Sequence, residues 1–146
     1  MLPKTAEYAL RAAVCLGRAL ERRVSADQLA EQTKIPRRYL HRVLQDLVRA
    51  ELAISQPGPG GGYALTRPTD TISVLEIVLA VGRLERIRNC PLGLPSHTRL
   101  CPLHQELDNV YAAAEQALAR VTIGELLRST SPIVPLCDFS NSVSAS

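Results

Sequence analysis

Residues 35–68, IPRRYLHRVLQDLVRAELAISQPGPGGGYALTRP, decide the fold of this chain. Residues 36–50 repeat apolar side chains at helical spacing, because successive residues of a helix are about 100° apart around its axis. After this helix the pattern becomes extended. Residues 52–56 and 63–66 predict two short strands, and the Gly/Pro-rich residues 57–62 between them predict a turn. A helix followed by such a hairpin is typical of a winged DNA-binding domain.

The predicted helix over residues 36–50 has two chemically different faces. One face is apolar and predicts docking on a core; it consists of Leu40, Val43, Leu44, Leu47 and Val48. The opposite face is a polar stripe made of Arg38, Arg42, Gln45 and Arg49. Arg and Gln side chains suit bidentate contacts with guanine, adenine and phosphate. A solvated helix face is the alternative, but residues 34–42 contain no Asp or Glu. The stripe therefore predicts a DNA-reading helix.

The segments around this helix complete the winged helix-turn-helix order. Residues 4–22 predict a first helix, and Ser25 with Gln28 forms a capping-box pattern that starts a second helix ending near Thr33. Pro36 is placed at the first position of the third helix. A fourth helix is predicted to start at Ser73, with Glu76 three residues later as another capping box, and to end near Gly82. Residues 1–82 thus predict a DNA-binding domain in a mainly α fold with a small β-hairpin. The glycine-rich loop is not a phosphate-binding NTPase loop, because no GK[ST] follows it.

Charge and composition support a cytoplasmic protein that binds a polyanion. Residues 1–68 carry eleven Lys/Arg against six Asp/Glu, a balance of +5, whereas residues 69–146 carry six against eight, a balance of −2. Glu7 and Arg11 interrupt the apolar N-terminal stretch, which therefore predicts neither a signal peptide nor a membrane span. The four cysteines are expected to be reduced thiols or metal ligands rather than a disulfide framework.

The second half predicts an irregular loop followed by a long helix. Residues 83–101 are rich in Arg, Pro and Gly, and we expect a sensor loop there. The apolar residues of the helix over 102–121 alternate by four and three, a heptad pattern that predicts a dimerisation helix; packing within one chain is the alternative. Thr122 to Glu125 caps a last short helix, so that 102–130 forms one unit, and residues 131–146 predict a flexible tail.

The sequence resembles the Rrf-type winged-helix transcriptional regulators. The resemblance is carried by AEYALRAAV at 6–14, IPRRYLHRVLQDLVRAEL at 35–52, GPGGGYALTRP at 58–68, ISVLEIVLAV at 72–81 and VTIGELL at 121–127. It implies a homodimeric bacterial repressor or activator that binds a palindromic double-stranded DNA operator, with an affinity set by an iron–sulfur cluster or by redox state. The predicted DNA-contacting residues are Lys34, Arg37, Arg38, Tyr39, His41, Arg42, Gln45, Arg49, Gln56, Gly60, Gly61 and Arg67.

One departure from the family concerns the wing. A family member reads the minor groove with an arginine just before the wing glycines, and this chain has Pro57 there. Gln56 or Arg67 is the candidate replacement. The rival class of function is a protein-interaction module that keeps the winged-helix shape without binding DNA. An enzyme is disfavoured, because the three histidines accompany no nucleophile–base motif or cofactor fingerprint.

The resemblance also locates a candidate sensor site. Cluster-binding members of the family place three cysteines between the fourth helix and the dimerisation helix, whereas this chain has two. The middle cysteine is absent, and His97 is its nearest replacement. Glu7 lies where some relatives donate a carboxylate from the partner's first helix, although Arg11 stands where one of them has a second ligand, a histidine. The predicted metal ligands are Cys90, Cys101, His104 and Glu7.

Three interpretations of the sensor loop stay open. The first is a two-cysteine, mixed-ligand iron–sulfur cluster, since thiolates suit such clusters and imidazole can complete them. The second is a zinc site with Cys90, Cys101 and His104, although ten residues between the cysteines is not a typical zinc spacing. The third is a pair of thiols that form a disulfide on oxidation, or that have no role. Cys15 is expected in the core, and Cys137 in the tail is a candidate resolving thiol.

Overall fold

The computed structural model of the protein describes residues 2–96 and 98–129. The elements in chain order are α1 (Lys4–Arg18), α2 (Ala26–Thr33), α3 (Arg37–Arg49), β1 (Ala53–Gln56), β2 (Gly62–Leu65), a 3₁₀ turn (Thr69–Thr71), α4 (Val74–Val81), α5 (Pro102–Arg120) and α6 (Ile123–Leu127). This order confirms the predicted winged helix-turn-helix with its small hairpin and the long helix that follows. No helix within the described residues is long and apolar enough to cross a membrane.

Helix α1 forms the centre of the core. It contacts α2, α3, α4, α6 and β2, and nine of its residues from Ala6 to Gly17 are buried. Many of them are Ala or Gly, whose small side chains let neighbouring helices approach closely. At Gly17 an added Cβ would lie 2.9 Å from a methyl carbon of Leu127. The small residues of α1 therefore allow α6 to pack against the DNA-binding domain.

The turn between α2 and α3 sets the angle of the third helix. The Thr33 hydroxyl donates to the Leu29 carbonyl at 2.6 Å, and the Ile35 N–H donates to the same hydroxyl oxygen at 3.4 Å. Lys34 adopts the left-handed conformation with φ of 59°, which ends α2. Ile35, 3% exposed, anchors the chain in the core just before α3 begins.

The wing is an antiparallel pair of strands with a glycine-rich tip. Ala53 pairs with Leu65 and Gln56 pairs with Gly62. Gly61 is required at the tip, because an added Cβ would lie 2.1 Å from the Gln56 carbonyl oxygen. Beyond the hairpin, Val24 and Tyr63 exchange two backbone hydrogen bonds of 2.9 and 2.8 Å. The chain just before α2 is therefore fixed to the second wing strand.

The predicted capping boxes at the starts of α2 and α4 are both present, as is the one at Thr122. In each, the first side chain accepts the N–H of the third helical residue, and that residue's side chain accepts the cap N–H. The Val74 N–H also donates to the Val121 carbonyl, and the Ile123 N–H to the Ile72 carbonyl. These bonds attach the end of the chain's last long helix to the start of α4.

Several predicted boundaries are wrong by a few residues. Helix α1 ends at Arg18 rather than at residue 22, because Leu20 turns into the left-handed conformation with φ of 56°. Pro36 is the N-cap of α3 rather than its first helical residue, and α5 ends at Arg120. The described part of 83–101 contains neither helix nor strand, as predicted. The predicted tail over 131–146 lies outside the described residues.

Candidate nucleic-acid interface and sensor loop

Helix α3 buries one apolar side and exposes the opposite, polar side. Its buried residues are Leu40, Val43, Leu44 and Leu47, which are all at most 1% exposed, and Val48 is half-buried. All the predicted DNA-contacting residues of this helix are exposed: Arg37, Arg38, Tyr39, His41, Arg42, Gln45 and Arg49. The helix is therefore held by one side and presents the polar stripe to solvent, as a reading helix must.

Aromatic rings from α1 and α3 support the start of this stripe. The Arg38 guanidinium donates to the Tyr39 hydroxyl at 2.8 Å and lies 4.7 Å from the centre of its ring. The Tyr39 ring lies 5.9 Å from that of Tyr8, over which Arg11 lies at 5.8 Å. Sequence reasoning did not identify Tyr8 or this use of Arg11, because Tyr8 and Tyr39 are 31 positions apart and share no local pattern.

Residues 34–42 contain no Asp or Glu, but the fold brings an acidic side chain from another helix to Arg37. Its guanidinium forms an ion pair with Asp27, which the second helix brings alongside. Arg49 pairs with Asp46 at 3.3 Å. Both arginines are largely exposed, and exposed pairs of this kind contribute at most about 1 kcal/mol, so DNA phosphates can replace them. Within the described residues, Lys34, Arg38 and Arg42 form no ion pair.

The wing offers fewer cationic contacts than α3. Gln56 is exposed at the end of β1, and Gly60, with φ of 75°, has open space around its Cα. Arg67 is engaged within the chain: one of its nitrogens donates to both carboxylate oxygens of Glu76, at 2.8 and 2.9 Å, and to the Thr71 carbonyl at 2.7 Å. Arg67 stays a predicted DNA contact, but it would have to leave Glu76 to reach a groove.

In the sensor loop, Cys101 and His104 lie together. Cys101 is the N-cap residue of α5, and its sulfur lies 3.3 Å from Nδ1 of His104, one turn along the helix. Both residues are half-buried. A thiol and an imidazole in direct contact can share a proton or bind one metal ion. The structure thus brings together two of the four predicted ligands.

Cys90 lies in a separate turn that favours its thiolate. Hydrogen bonds from the backbone N–H of Leu94, and of Leu92 and Gly93, lower the pKa of the Cys90 thiol against the opposing effect of desolvation. Gly93 has φ of 64°, and its N–H also donates to the Cys90 carbonyl at 3.1 Å. Backbone N–H groups directed at sulfur stabilise a thiolate whether it is free or bound to a metal.

The described residues of a single chain do not bring the whole predicted ligand set together. No group of three His, Cys, Asp or Glu residues suited to a metal occurs among residues 2–96 and 98–129. Glu7 is exposed on α1, and His97 lies outside the described residues. The donor types fit an iron–sulfur cluster or zinc, but a full site needs further ligands, such as Glu7 from a partner subunit. The ligand assignments stay predictions.

A buried carboxylate attaches the beginning of the sensor loop to α5. Asp108 accepts two hydrogen bonds from Arg86, of 2.8 and 3.0 Å, and one of 2.8 Å from the Ile87 N–H. Arg86 also lies 3.6 Å from Glu115. These contacts lower the pKa of Asp108 to about 2, chiefly through the Arg86 hydrogen bonds. We call this group the Arg86–Asp108 clamp; the sequence did not predict it, because its members lie 22 residues apart.

Comparison with known proteins agrees with this architecture. The family model "Rrf2: Iron-dependent Transcriptional regulator" matches residues 2–129. The chain is 31% identical over 127 residues to a protein described as the HTH-type transcriptional regulator BadM of Rhodopseudomonas palustris, covering 87% of this chain and 81% of BadM. It is 26% identical to an HTH-type regulator of Aquifex aeolicus, covering 84% of this chain and 88% of the relative.

Solved structures show the same fold. The chain superposes on IscR of T. potens with a TM-score of 0.72 and 22% identity, covering 87% of this chain and 85% of IscR. The TM-score is 0.74, also at 22% identity, for CymR, the global cysteine regulator of B. subtilis, covering 90% of this chain and 98% of CymR. With its winged helix-turn-helix domain and the match over residues 2–129, the chain belongs to the Rrf2 family of DNA-binding transcriptional regulators.

Proposed function

We propose that the protein is a homodimeric regulator that binds a palindromic operator through two copies of α3 and is controlled by the loop over residues 90–104. The observation that carries the DNA-binding part is α3 itself. This helix buries every leucine it contains and exposes Arg38, Arg42 and Gln45 as one polar stripe. In a dimer, two such helices would enter successive major grooves, and the wings would lie along the backbone.

The positive charges of α3 predict how operator affinity depends on salt concentration. Guanidinium groups replace counterions at the DNA phosphates, so the binding constant falls as the salt concentration rises. The slope of its logarithm against the logarithm of the salt concentration is close in size to the number of phosphates neutralised. Arg38 is steadied by its contact with the Tyr39 ring, so part of its conformational freedom is already lost before DNA binds. We therefore expect Arg38 and Arg42 to contribute both affinity and base discrimination.

Operator binding by the double variant Arg38→Ala/Arg42→Ala tests this assignment. The operator is first selected from random duplex DNA with the unaltered protein. We expect affinity to fall by about 2–6 kcal/mol, from about 1–3 kcal/mol for each arginine, with a smaller salt slope. The matched control, Arg83→Ala/Arg120→Ala, removes the same charge from exposed residues outside α3 and should bind nearly as well. Equal affinities of the two variants would remove α3 as the reading helix.

The sensor part of the proposal rests on the loop and on the family. Cys101 and His104 are in contact, the Cys90 thiolate is favoured by its turn, and the family is described as iron-dependent. We propose that Cys90, Cys101 and His104, with Glu7 of the partner subunit, hold an iron–sulfur cluster. Such a group would supply a reversible change of charge and ligation beside α5. Zinc or a thiol pair is the second candidate, supported by the absence of a third cysteine between residues 90 and 101.

The first measurement is an ultraviolet–visible spectrum with iron and sulfide assays on protein purified without oxygen, beside an aerobic sample. Visible absorption with matched iron and sulfide supports the cluster, and the variants Cys90→Ser, Cys101→Ser and His104→Ala should lose it. A colourless protein containing zinc, or one whose thiols oxidise reversibly, supports the second candidate. Neither result alters the α3 assignment, because operator binding is measured separately.

A further inference from the structure

An open cavity of about 350 Å³ lies on the DNA-binding domain, and no residue of the sensor loop lines it. It is formed by the end of α1, the turn that follows and one side of α2. Its polar lining consists of Arg18, Arg22, Arg23, Gln28 and Gln32. Neither the operator contacts predicted for α3 nor the candidate metal ligands include any of these five residues. The cavity is within the size range of small-ligand sites.

The charged side chains that line this cavity are all cationic. Arg22 and Arg23 are exposed, and neither forms an ion pair within the described residues. The acidic residues nearest in sequence, Glu21, Asp27 and Glu31, do not line the cavity, and Asp27 is paired with Arg37. Like charges held together at a concave surface raise the local concentration of ions of opposite sign. A cavity with three guanidinium groups thus favours an anion.

The remaining lining residues add hydrogen-bond donors and a small apolar side. The side-chain oxygen of Gln28, Oε1, accepts the Ser25 N–H at 3.1 Å, so the side-chain nitrogen of Gln28 is left to donate elsewhere. Gln32 lies one turn further along the same side of α2. Cys15 of α1 and Ala19, the residue that follows this helix, supply apolar surface. Guanidinium and amide donors beside a small apolar wall suit an organic anion with carboxylate or phosphate groups.

The cavity is connected to the wing through the backbone. Val24 belongs to its lining, and this residue exchanges two backbone hydrogen bonds with Tyr63 of β2. Within the turn that precedes Val24, Leu20 has the left-handed conformation and is 79% exposed, so the turn over 19–23 is not fixed by packing of this side chain. An anion that bridges the turn and α2 would therefore restrain the segment that positions both α2 and the wing.

We infer that this cavity is an effector site for a small organic anion, bound by Arg18, Arg22 and Arg23, whose occupancy changes operator affinity. Binding of the anion does not depend on the proposed DNA-binding function. The effect of the anion on operator affinity rests on that function. Carboxylate and phosphate groups present the same acceptor chemistry to guanidinium. Operator phosphates could supply the same acceptors, and the experiment separates the two sources.

The experiment is isothermal titration of the full-length protein, without DNA, with citrate and with inorganic pyrophosphate at constant ionic strength in chloride buffer. We expect saturable binding of at least one probe to the unaltered protein. The variant Arg22→Gln/Arg23→Gln should weaken it at least tenfold. The control Arg83→Gln/Arg120→Gln makes the same change of net charge at exposed residues outside the cavity and should retain it. Operator affinity is then measured with and without the bound probe.

Saturable binding that is lost only in the cavity variant, together with a changed operator affinity, supports the site and its effect. Binding without any effect on the operator would overturn the regulatory part alone. If neither probe binds, and the cavity variant instead lowers operator affinity and its salt slope, the arginines serve the DNA backbone and the effector site is refuted. Failure of both probes with unchanged operator affinity also refutes it. A failure of the α3 assignment would leave the calorimetric result unaffected.

Discussion

Helices α3 and α5 are both amphipathic, but the single chain treats them in opposite ways. Three leucines and one valine on the inner side of α3 are almost completely buried. In the first half of α5 the residues of the predicted heptad stay exposed: Leu103 by 64%, Leu107 by 39% and Val110 by 60%. Further along the same heptad, Ala114 and Val121 are half-buried. The face of α5 that packs on its own chain carries instead the half-buried His104, Tyr111 and Glu115 and the buried Asp108. An apolar stripe in a sequence therefore predicts burial, but not by which chain.

The apolar side of α3 is covered by its own chain, whereas the apolar stripe at the start of α5 is left exposed. Contiguous exposed apolar surface of this kind marks an interaction site. For α5 the heptad spacing favours a second copy of the same helix, since the knobs of one copy fit between those of the other. The prediction of a homodimer through residues 102–121 is consistent with this arrangement and stays to be tested.

The largest expected effect is on the buried side of the comparison. Leu44→Ala should lower the free energy of unfolding by about 2–5 kcal/mol, because it removes buried methyl groups and leaves a cavity. Leu107→Ala is its matched partner, the same change at an exposed position. In chemical denaturation at two protein concentrations, Leu44→Ala should lower the midpoint at both. Leu107→Ala should act mainly by weakening the dimer, so the size of its effect on the midpoint should depend on the protein concentration. Similar losses at both positions would mean that the chain itself buries Leu107.

The second expected effect is on assembly. Leu107→Asp places a carboxylate in the heptad stripe, and we expect it to raise the dimer dissociation constant at least about 100-fold, or about 3 kcal/mol, because the charge would have to be desolvated. Gln116→Asp adds the same charge to the other side of α5 and is the control. Analytical ultracentrifugation gives both constants. An unchanged dimer in the first variant would show that α5 pairs through a different surface or not at all.

The smallest expected effect concerns the Arg86–Asp108 clamp. The folded-state pKa of Asp108, about 2, lies below its ordinary 3.8, so its stabilising contribution is complete above about pH 4 and is lost as pH falls towards 2. Asp108→Asn keeps the shape but removes the charge that Arg86 contacts. We expect its unfolding midpoint to depend less on pH between 4 and 2 than that of the unaltered protein. Identical pH profiles would mean that the clamp does not contribute to stability.

Local patterns in the sequence were sufficient for most of the DNA-binding domain. The helical spacing and the Arg/Gln stripe of α3, the glycines of the wing and the three capping boxes each involve residues within a few positions of one another. Such features are set by backbone geometry and by hydrogen bonds between near neighbours, so they can be read from the sequence. The family resemblance added the expectations about the operator and the sensor loop, which geometry alone would not have supplied.

The tertiary structure alone decided the contacts between distant residues. Asp27 pairs with Arg37, Tyr8 packs against Tyr39, and Asp108 binds Arg86 only because helix packing brings their side chains together. The same holds for the cavity beside Arg22. Helix packing also determined which side of α5 faces its own chain. The sequence determined the elements and their amphipathic faces, because those depend on local periodicity. Which faces meet depends on how the helices pack, and no local pattern specifies that.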